Sequence, residues 1–254
     1  MKKTKVICIG EALIDRIINQ SDLEFNDFCG GAPANVACAL RKLKIRSVFI
    51  GRLGDDEYGI RFLKLFKQLS INTDCLQLDK KRPTRIVKVN RDNTGDRYFS
   101  GFEGISLKGF SDEALDLNLL KKGIKTLEVL LKETKYIVTG TVLLSSPASE
   151  ESIKFILNCA QKYGVKIIID LNWREVFWDY ADLSTRISKQ ERFEFIKEFL
   201  NYADILKLAR EEAIMFFDND NPYKISQKMI NNPDVIITDG KNPISWFIND
   251  IEGK

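Results

Sequence analysis

The chain contains no histidine among its 254 residues. This absence excludes the Ser-His-Asp and Cys-His mechanisms of nucleophilic catalysis, together with metal sites built on imidazole. Any chemistry must therefore come from carboxylates, lysine, arginine, backbone amides or a hard cation such as magnesium.

Cysteine is sparse, and its spacing forms no recognisable motif. The five cysteines lie at positions 8, 29, 38, 75 and 159, without a Cys-x-x-Cys pair and with an odd total. This pattern predicts reduced thiols in a cytoplasmic protein and argues against a disulfide framework or a zinc site. No apolar run reaches the length of a membrane span, and the apolar stretch near the N-terminus is too short for a signal peptide.

Neither sign of charge dominates the composition. The 39 basic and 36 acidic residues give a net charge of +3, which is too balanced for a general nucleic-acid-binding protein. The short basic clusters at 2–5 and 80–82 are typical of solvated surface. A chain of 254 residues, 44% of them hydrophobic, is long enough for one large domain with a small appendage.

Strand and helix patterns alternate along most of the chain. Buried strands are predicted at 5–10, 47–51, 136–139, 166–170, 205–208 and 235–238, and amphipathic helices at 33–43, 58–69, 120–131, 149–163, 189–202 and 222–231. This alternation predicts a doubly wound (Rossmann-like), mainly parallel α/β sheet with helices on both faces. In such a sheet a ligand binds beyond the carboxyl ends of the strands.

Two segments depart from this alternation. Short strands at 75–78, 85–89 and 98–102, broken by Pro83 and by Asn93-Thr94-Gly95, predict antiparallel structure with hairpin turns. At the other end, 244–248 is typical of a strand that enters an Asn249-Asp250 turn without a return strand. We therefore expect an unpaired sheet edge near the C-terminus.

Two predicted strand ends near the N-terminus carry small and polar residues. Gly10-Glu11 is followed by Asp15, and Gly30-Gly31 is followed by Asn35 at the start of a helix. Paired glycines let a ligand approach backbone amides, and the carboxylate and the amide offer hydrogen bonds to sugar hydroxyls. The alternative interpretation is that Asp15 is a surface residue and Asn35 a helix cap.

A third polar strand end is Asp170-Leu171-Asn172-Trp173-Arg174, where a carboxylate, an amide and a guanidinium emerge beside an aromatic cluster. The alternative here is a structural salt bridge between Asp170 and Arg174. Two common nucleotide motifs are missing: 54–61 has the glycine spacing of a P-loop without its Lys-Ser/Thr, and no Gly-x-Gly-x-x-Gly follows the first strand. The second absence counts against a dinucleotide dehydrogenase.

Six segments resemble the ribokinase-like (PfkB) family of carbohydrate kinases. GEALID (10–15), GGAPANVACAL (30–40) and GRLGDDEYG (51–59) resemble its N-terminal half and are most similar to fructokinases. DLNWREVFW (170–178), ADILKLAREEA (203–213) and IITDGKNPISWF (236–247) resemble its Asp-Pro-Asn-x-Arg, Asn-x-x-Glu and Thr-x-Gly-x-x-Gly motifs. The resemblance implies ATP-dependent phosphorylation of a sugar hydroxymethyl group. Fructose is the favoured sugar, and 2-keto-3-deoxygluconate and ribose are alternatives.

The resemblance also implies a set of site residues. A β lid formed by about 16–30 and 74–108 would close over the sugar and exclude water. The implied sugar-binding residues are Asp15, Gly30, Gly31, Asn35, Arg97 and Phe99. The implied ATP-binding residues are Asn172, Arg174, Lys207, Thr238 and Gly240, while Glu212 would organise Mg²⁺ through water. A homodimer through the lid is a further expectation of the family.

The sequence departs from the family pattern in four places. Leu171, Ala209 and Pro243 stand where proline, Asn or Ser, and glycine are usual. The fourth departure is the family's Asp-Thr-x-Gly-Ala-Gly-Asp segment, which supplies an anion hole and the general base and has no counterpart in residues 1–254.

The missing segment would contain the groups that the family uses for catalysis. The resemblance places the general-base Asp and the anion hole beyond Lys254, the last residue of the sequence. We therefore expect a single ribokinase-like domain over 1–254 that is incomplete at its C-terminus and holds no catalytic residue. A non-catalytic sugar- or nucleotide-binding protein of the same fold is the alternative function.

Overall fold

The computed structural model describes residues 5–18, 25–91, 97–104, 108–179 and 188–254. Its strands in chain order are β1 Lys5–Ile9, β2 Leu13–Ile18, β3 Phe25–Gly30, β4 Arg46–Ile50, β5 Arg52–Gly54, β6 Gln77–Asp79, β7 Ile86–Arg91, β8 Arg97–Glu103, β9 Thr134–Thr139, β10 Lys166–Asp170, β11 Ile205–Ala209, β12 Asp234–Asp239, β13 Asn242–Ile248 and β14 Ile251–Gly253. Its helices are α1 Ala32–Lys42, α2 Glu57–Gln68, α3 Leu117–Lys122, α4 Ile124–Lys132, α5 Pro147–Lys162, α6 Glu175–Asp179, α7 Lys189–Leu200, α8 Arg210–Phe217 and α9 Pro222–Lys228.

An eight-stranded sheet forms the centre of the fold, in the order β14-β13-β12-β11-β10-β9-β1-β4. The six strands from β12 to β4 are parallel, and β13 and β14 continue the sheet antiparallel. The predicted mainly parallel α/β sheet is thus confirmed. All its parallel strands end at the same edge, so the polar residues that follow them are gathered there.

The two faces of this sheet differ in how well they are covered. One face is packed against α4, α5, α7, α8 and α9 in the larger hydrophobic core. On the other face α1 and α2 cover the β1 and β4 side in a second core. Farther along that face Val138, Ile168 and Ile205 lie in register on neighbouring strands and are only half-buried. An apolar cleft of about 530 Å³ opens beside α1 on this face, although parallel sheets are normally covered on both sides.

A separate four-stranded sheet, which we call the lid sheet, has the order β3-β2-β7-β8. Its outer pairs are antiparallel, as predicted, whereas β2 and β7 pair in parallel at the centre. Of the segments assigned to the lid, 19–24, 92–96 and 105–107 lie outside the described residues. The strand predicted at 75–78 is displaced to β6 and does not join the lid sheet. It pairs with β5 in a two-stranded sheet, because the N–H of Gln77 donates to the carbonyl of Gly51.

The predicted unpaired edge near the C-terminus is wrong for the last three residues of β13, which pair with a further strand. After the turn at Asn249 and Asp250, both in the left-handed region, the three-residue strand β14 pairs with Trp246–Ile248. The helix predicted at 120–131 is also interrupted, since α3 ends at Gly123 and α4 starts directly after it. Helix α8 was missed, because its eight residues show little amphipathic periodicity.

The five cysteines are free thiols, as expected. Within the described ranges, no helix combines the length and the apolar character needed to cross a bilayer.

Candidate functional site

The site begins at the glycine turn between β3 and α1. Gly31 is the N-cap of α1 and has φ 95°, a conformation that favours glycine. No side chain caps this helix end, although the carboxylate of Glu11 accepts the N–H of its first residue, Ala32. The turn therefore presents glycine backbone at the positive end of a helix dipole, an environment suited to oxygen-rich ligands.

Asp15 faces this turn from β2. A Cβ on Gly30 would lie 2.3 Å from its Oδ2 atom, so the carboxylate packs directly against the glycine. Asn35 lies four residues after Gly31 in the first turn of α1 and is exposed. The structure thus brings Asp15 into contact with Gly30, the neighbour of Gly31, and puts Asn35 at the same helix end. Asn35 is not the helix cap of the alternative interpretation, since Gly31 holds that position.

The lid sheet approaches the main sheet through Phe99 on β8. Its ring is 40% exposed, and the guanidinium carbon of Arg174 lies 5.5 Å from the ring centroid. This cation–π contact joins a residue expected at the sugar to one expected at ATP. The backbone of Arg97 is also part of β8, and its side chain lies outside the described structure.

Asp170, the last residue of β10, is in register with Lys207 in the middle of the neighbouring strand β11, and Lys207 Nζ lies 3.0 Å from Asp170 Oδ1. The alternative interpretation, a salt bridge between Asp170 and Arg174, names the wrong partner, because Asp170 pairs with Lys207. Arg174 instead donates to the carbonyl of Trp173 at 3.1 Å. Asn172 has φ 43°, a left-handed conformation that asparagine tolerates better than most residues.

Glu212, on α8, connects the loop after β10 to the end of β11 through two backbone hydrogen bonds. Its Oε1 accepts the N–H of Trp173 at 2.6 Å and its Oε2 accepts the N–H of Ala209 at 2.7 Å. Burial raises the pKa of the carboxyl group, and the two backbone hydrogen bonds and the charge of Lys207 oppose that rise. Asp170 adds a nearby negative charge that also raises it.

The predicted nucleotide turn connects β12 to β13. Thr238 lies beside Ala209 at the end of β12 and donates to the carbonyl of Leu208 at 3.3 Å. Gly240 follows with φ 52° and is exposed. Thr238 and Gly240 therefore lie at the carboxyl end of β12, next to β11, whose last residue Ala209 donates its N–H to Glu212.

The fit of a divalent cation to this edge is limited. No cluster of three or more Asp, Glu, His or Cys side chains suited to a metal exists in the described part of the chain. Both carboxylate oxygens of Glu212 already accept backbone hydrogen bonds, although each keeps a second lone pair. A cation that retains its water shell, as Mg²⁺ does, fits these donors better than one stripped of water.

Sequence reasoning missed a buried charge cluster between the two sheets. Arg85, 1% exposed, donates to Asp112 and Glu113 and lies within 4.8 Å of the ring centroids of Phe102, Phe110 and Phe177. Glu11 lies near this cluster and feels the charges of Arg85 and Asp112. The position of Glu11 two residues after β1 could have indicated a functional role. The partners of Arg85 lie 27 and 28 residues after it in the chain, and no local pattern links them to it.

The general base and the anion hole have no place among the site residues described above. The family resemblance puts both beyond Lys254, and the described residues extend to Lys254 and no farther. That expectation therefore stays a prediction.

Comparison with known proteins adds to this geometry. A family model described as pfkB family carbohydrate kinase matches residues 3–254. The chain is 28% identical over 262 residues to the probable fructokinase-6, chloroplastic, of Arabidopsis thaliana, covering 98% of this chain and 63% of that protein. It is 28% identical over 257 residues to fructokinase-2 of Zea mays, covering 98% and 71%.

Among solved structures, a fructokinase from Xylella fastidiosa matches with a TM-score of 0.81 at 23% identity, covering 99% of this chain and 77% of that one. At this identity the match shows a shared fold. The chain spans less than two thirds of the Arabidopsis relative and about three quarters of the Xylella structure.

Proposed function

Since the chain belongs to the pfkB family of carbohydrate kinases, we propose that it functions in ATP-dependent phosphorylation of a sugar hydroxymethyl group, with fructose as the sugar. The observation that carries the proposal is the contact of Asp15 with Gly30, the last residue of β3, just before the start of α1. This pairing offers an acceptor for sugar hydroxyls together with backbone donors at a helix end.

The sugar would be held mainly through hydrogen bonds to Asp15 and Asn35. The carboxylate accepts hydrogen bonds from hydroxyls, and the amide both donates and accepts them. Phe99 would close the site from the lid sheet with an apolar ring. Arg97, on the same strand, would add a polar contact to the sugar. A closed lid would exclude water from the transferring phosphoryl group.

The nucleotide would lie along the ends of β10, β11 and β12. Lys207 and Arg174 supply positive charge toward phosphate oxygens, and Asn172 supplies an amide. Thr238 and Gly240 form the turn against which the rest of the nucleotide would rest. Because Lys207 is paired with Asp170, binding of a phosphate would have to compete with an existing salt bridge.

Mg²⁺ would be held through its waters by Glu212 and by ATP itself, and when bound it would neutralise charge on the phosphates. The hydrogen bonds of Glu212 support a positioning role, because they fix the loop after β10 relative to the start of α8. A homodimer through the lid sheet is the remaining part of the proposal. Phe25 and Phe28 on β3 support it, since each is about half exposed and exposed apolar side chains of the lid sheet are available to contact a second copy.

Titration of fructose into the chain and into an Asp15→Ala variant tests the proposal. Hydrogen bonds to a charged group contribute about 1.5–3 kcal/mol, so the variant should bind fructose about 10- to 100-fold more weakly. ATP affinity should stay the same, and Asp55→Ala, a change of an exposed aspartate away from the turn, should leave both affinities unchanged. Equal fructose affinity in the Asp15→Ala variant would falsify the assignment.

The alternative function is a sugar- or nucleotide-binding protein of the same fold without catalysis. The two candidates share the binding predictions above and differ only in turnover, which an ADP-release assay measures.

A further inference from the structure

Glu11 is a buried carboxylate two residues after β1, the strand next to the edge strand β4, with 3% of its surface exposed. Its Oε1 atom accepts the N–H of Ala32 at 2.9 Å. Ala32 is the first residue of α1 and directly follows the glycine turn. Glu11 therefore anchors one end of the turn that Asp15 faces.

The same short segment contacts the turn from two directions. A Cβ on Gly31 would lie 2.5 Å from the carbonyl oxygen of Glu11, while a Cβ on Gly30 would lie 2.3 Å from Oδ2 of Asp15. The glycines are thus enclosed between the main chain of Glu11 and the carboxylate of Asp15. A shift of the α1 terminus by a few tenths of an ångström would change the distance between the turn and Asp15.

The neighbouring charges do not give Glu11 a salt-bridge partner of its own. The nearby guanidinium of Arg85 already has two carboxylate partners, with Nε 2.9 Å from Asp112 and Nη2 2.6 Å from Glu113. Asp112 is moreover a repulsive neighbour of Glu11. The groups that favour the charged form of Glu11 are mainly backbone N–H groups and the helix terminus, whereas burial disfavours that form and makes a carboxylate here costly for stability.

We propose that Glu11 is a positioning residue for the sugar site, whose carboxylate fixes the N-terminus of α1 and so holds Gly30 and Gly31 opposite Asp15. This inference rests on the proposed sugar-binding function. It assigns Glu11 no contact with the sugar and no role at the nucleotide.

Two substitutions of Glu11 separate positioning from general stability. In the 254-residue chain, Glu11→Ala should weaken fructose binding, measured by calorimetry, by about tenfold or more, the size expected from loss of a charged hydrogen bond. ATP affinity should change by less than about twofold. Glu11→Gln keeps the Oε1 acceptor and should stay within about threefold of the parent for fructose. Equal weakening of fructose and ATP binding in Glu11→Ala would overturn the proposal in favour of a structural role.

Ala32→Pro provides a test that leaves Glu11 in place, in case Glu11→Ala does not fold. Proline is favoured at the first position of a helix and lacks the N–H that Glu11 accepts. This variant should lose fructose affinity to a similar extent. Unchanged fructose affinity in a folded Ala32→Pro variant would contradict the proposal.

The amide resonances of Gly30 and Gly31 provide a readout that does not need the sugar. They should shift in Glu11→Ala and stay near their parent positions in Glu11→Gln. If they do not shift in Glu11→Ala, the positioning role is wrong whether or not fructose binds. If they shift as expected but the parent chain does not bind fructose, the assignment of the sugar fails and the positioning of the turn stands.

Discussion

The carboxylate of Asp15 and the Cα of Gly30 are packed so closely that a methyl group on the glycine would come within 2.3 Å of Oδ2. No side chain other than hydrogen fits there unless Asp15 moves. The identity of residue 30 and the position of the proposed sugar-binding carboxylate are therefore linked.

Gly30→Ala should displace Asp15 and weaken fructose binding by about tenfold or more, as loss of a hydrogen bond to a charged group does. Calorimetry measures the affinity, and thermal unfolding verifies the fold. Gly123→Ala is the matched control, because a Cβ there meets only backbone carbonyl oxygens at 3.4 and 3.8 Å. Similar fructose affinities in the two variants would argue against a sugar site at this turn.

The buried carboxyl of Glu11 should make stability depend on pH. Burial raises its pKa from 4.5 to about 7, so the folded chain binds this proton more tightly than the unfolded chain. The resulting stabilisation is complete below about pH 4.5 and is lost as the pH rises through about 7.

Comparison with Glu11→Gln isolates this effect, because glutamine does not titrate. Relative to that variant, the melting temperature of the parent should fall as the pH is raised from about 5 to about 8. Parallel melting curves over this range would show that Glu11 keeps an ordinary pKa.

Asp27 on β3 should be important for holding the lid sheet to the main sheet. It accepts hydrogen bonds from Arg16 at 2.6 and 2.7 Å and from Tyr58 of α2 at 2.5 Å. The side chains of Arg16 and Asp27 are 9% and 12% exposed. Removal of one partner of a buried ion pair typically lowers the free energy of unfolding by about 3–5 kcal/mol. For Asp27→Ala we expect a loss near the lower value, because Arg16 keeps its second partner, Glu103.

Denaturant unfolding of Asp27→Ala measures this loss. Glu175→Ala is the control, since its salt bridge with Lys189 is about half exposed on both sides and should contribute less than about 1 kcal/mol. A loss for Asp27→Ala as small as that of the control would show that the contacts of Asp27 with Arg16 and Tyr58 do not stabilise the position of the lid sheet.

The half-covered face of the main sheet should respond to substitution differently from the packed face. Ile167 is fully buried on the packed face, and the adjacent Ile168 points to the half-covered one. Ile167→Thr should cost about 2 kcal/mol or more, because a buried hydroxyl loses its hydrogen bonds to water. Ile168→Thr should cost less than about 1 kcal/mol, the range of substitutions outside the core.

Fluorescence of a dye that binds exposed apolar surface provides a second measurement. The parent should bind it, and Ile168→Thr should bind less, because exposed apolar area favours such binding. If the two threonine variants are equally unstable, the half-covered face is buried in solution.

A polypeptide of residues 1–254 should show little turnover with fructose, ATP and magnesium in a coupled ADP-release assay. Its binding residues do not include a base for the sugar hydroxyl, and loss of a positioned base typically lowers the rate by about 10²–10⁴-fold. Turnover of about 1–100 s⁻¹, the usual kinase range, would mean that another carboxylate acts as base. Asp239 and Asp170 would be the first to substitute, since both lie at strand ends beside the proposed nucleotide site.

Much of the fold follows from local patterns in the sequence. The buried strands β1, β4, β10, β11 and β12 were predicted to within one or two residues, because the alternation of apolar runs and helical periodicity is a local property. Lid strand β7 was also found, whereas β6 was assigned to the wrong sheet. Its hydrogen bonds go to β5, more than 20 residues earlier, and nothing in the strand itself specifies that partner.

Local sequence patterns were enough to predict most of the strands and helices and the polar strand ends, among them Asp15, the glycine turn and Glu212. Which of these groups touch depends on tertiary packing. Asp170 pairs with Lys207 through the register of two strands, and Glu212 binds an N–H 39 residues before it. Glu11 reaches Ala32 across 21 residues. Such contacts depend on how the sheets bring distant segments together in the packed core, whereas propensity and periodicity act over only a few neighbouring residues.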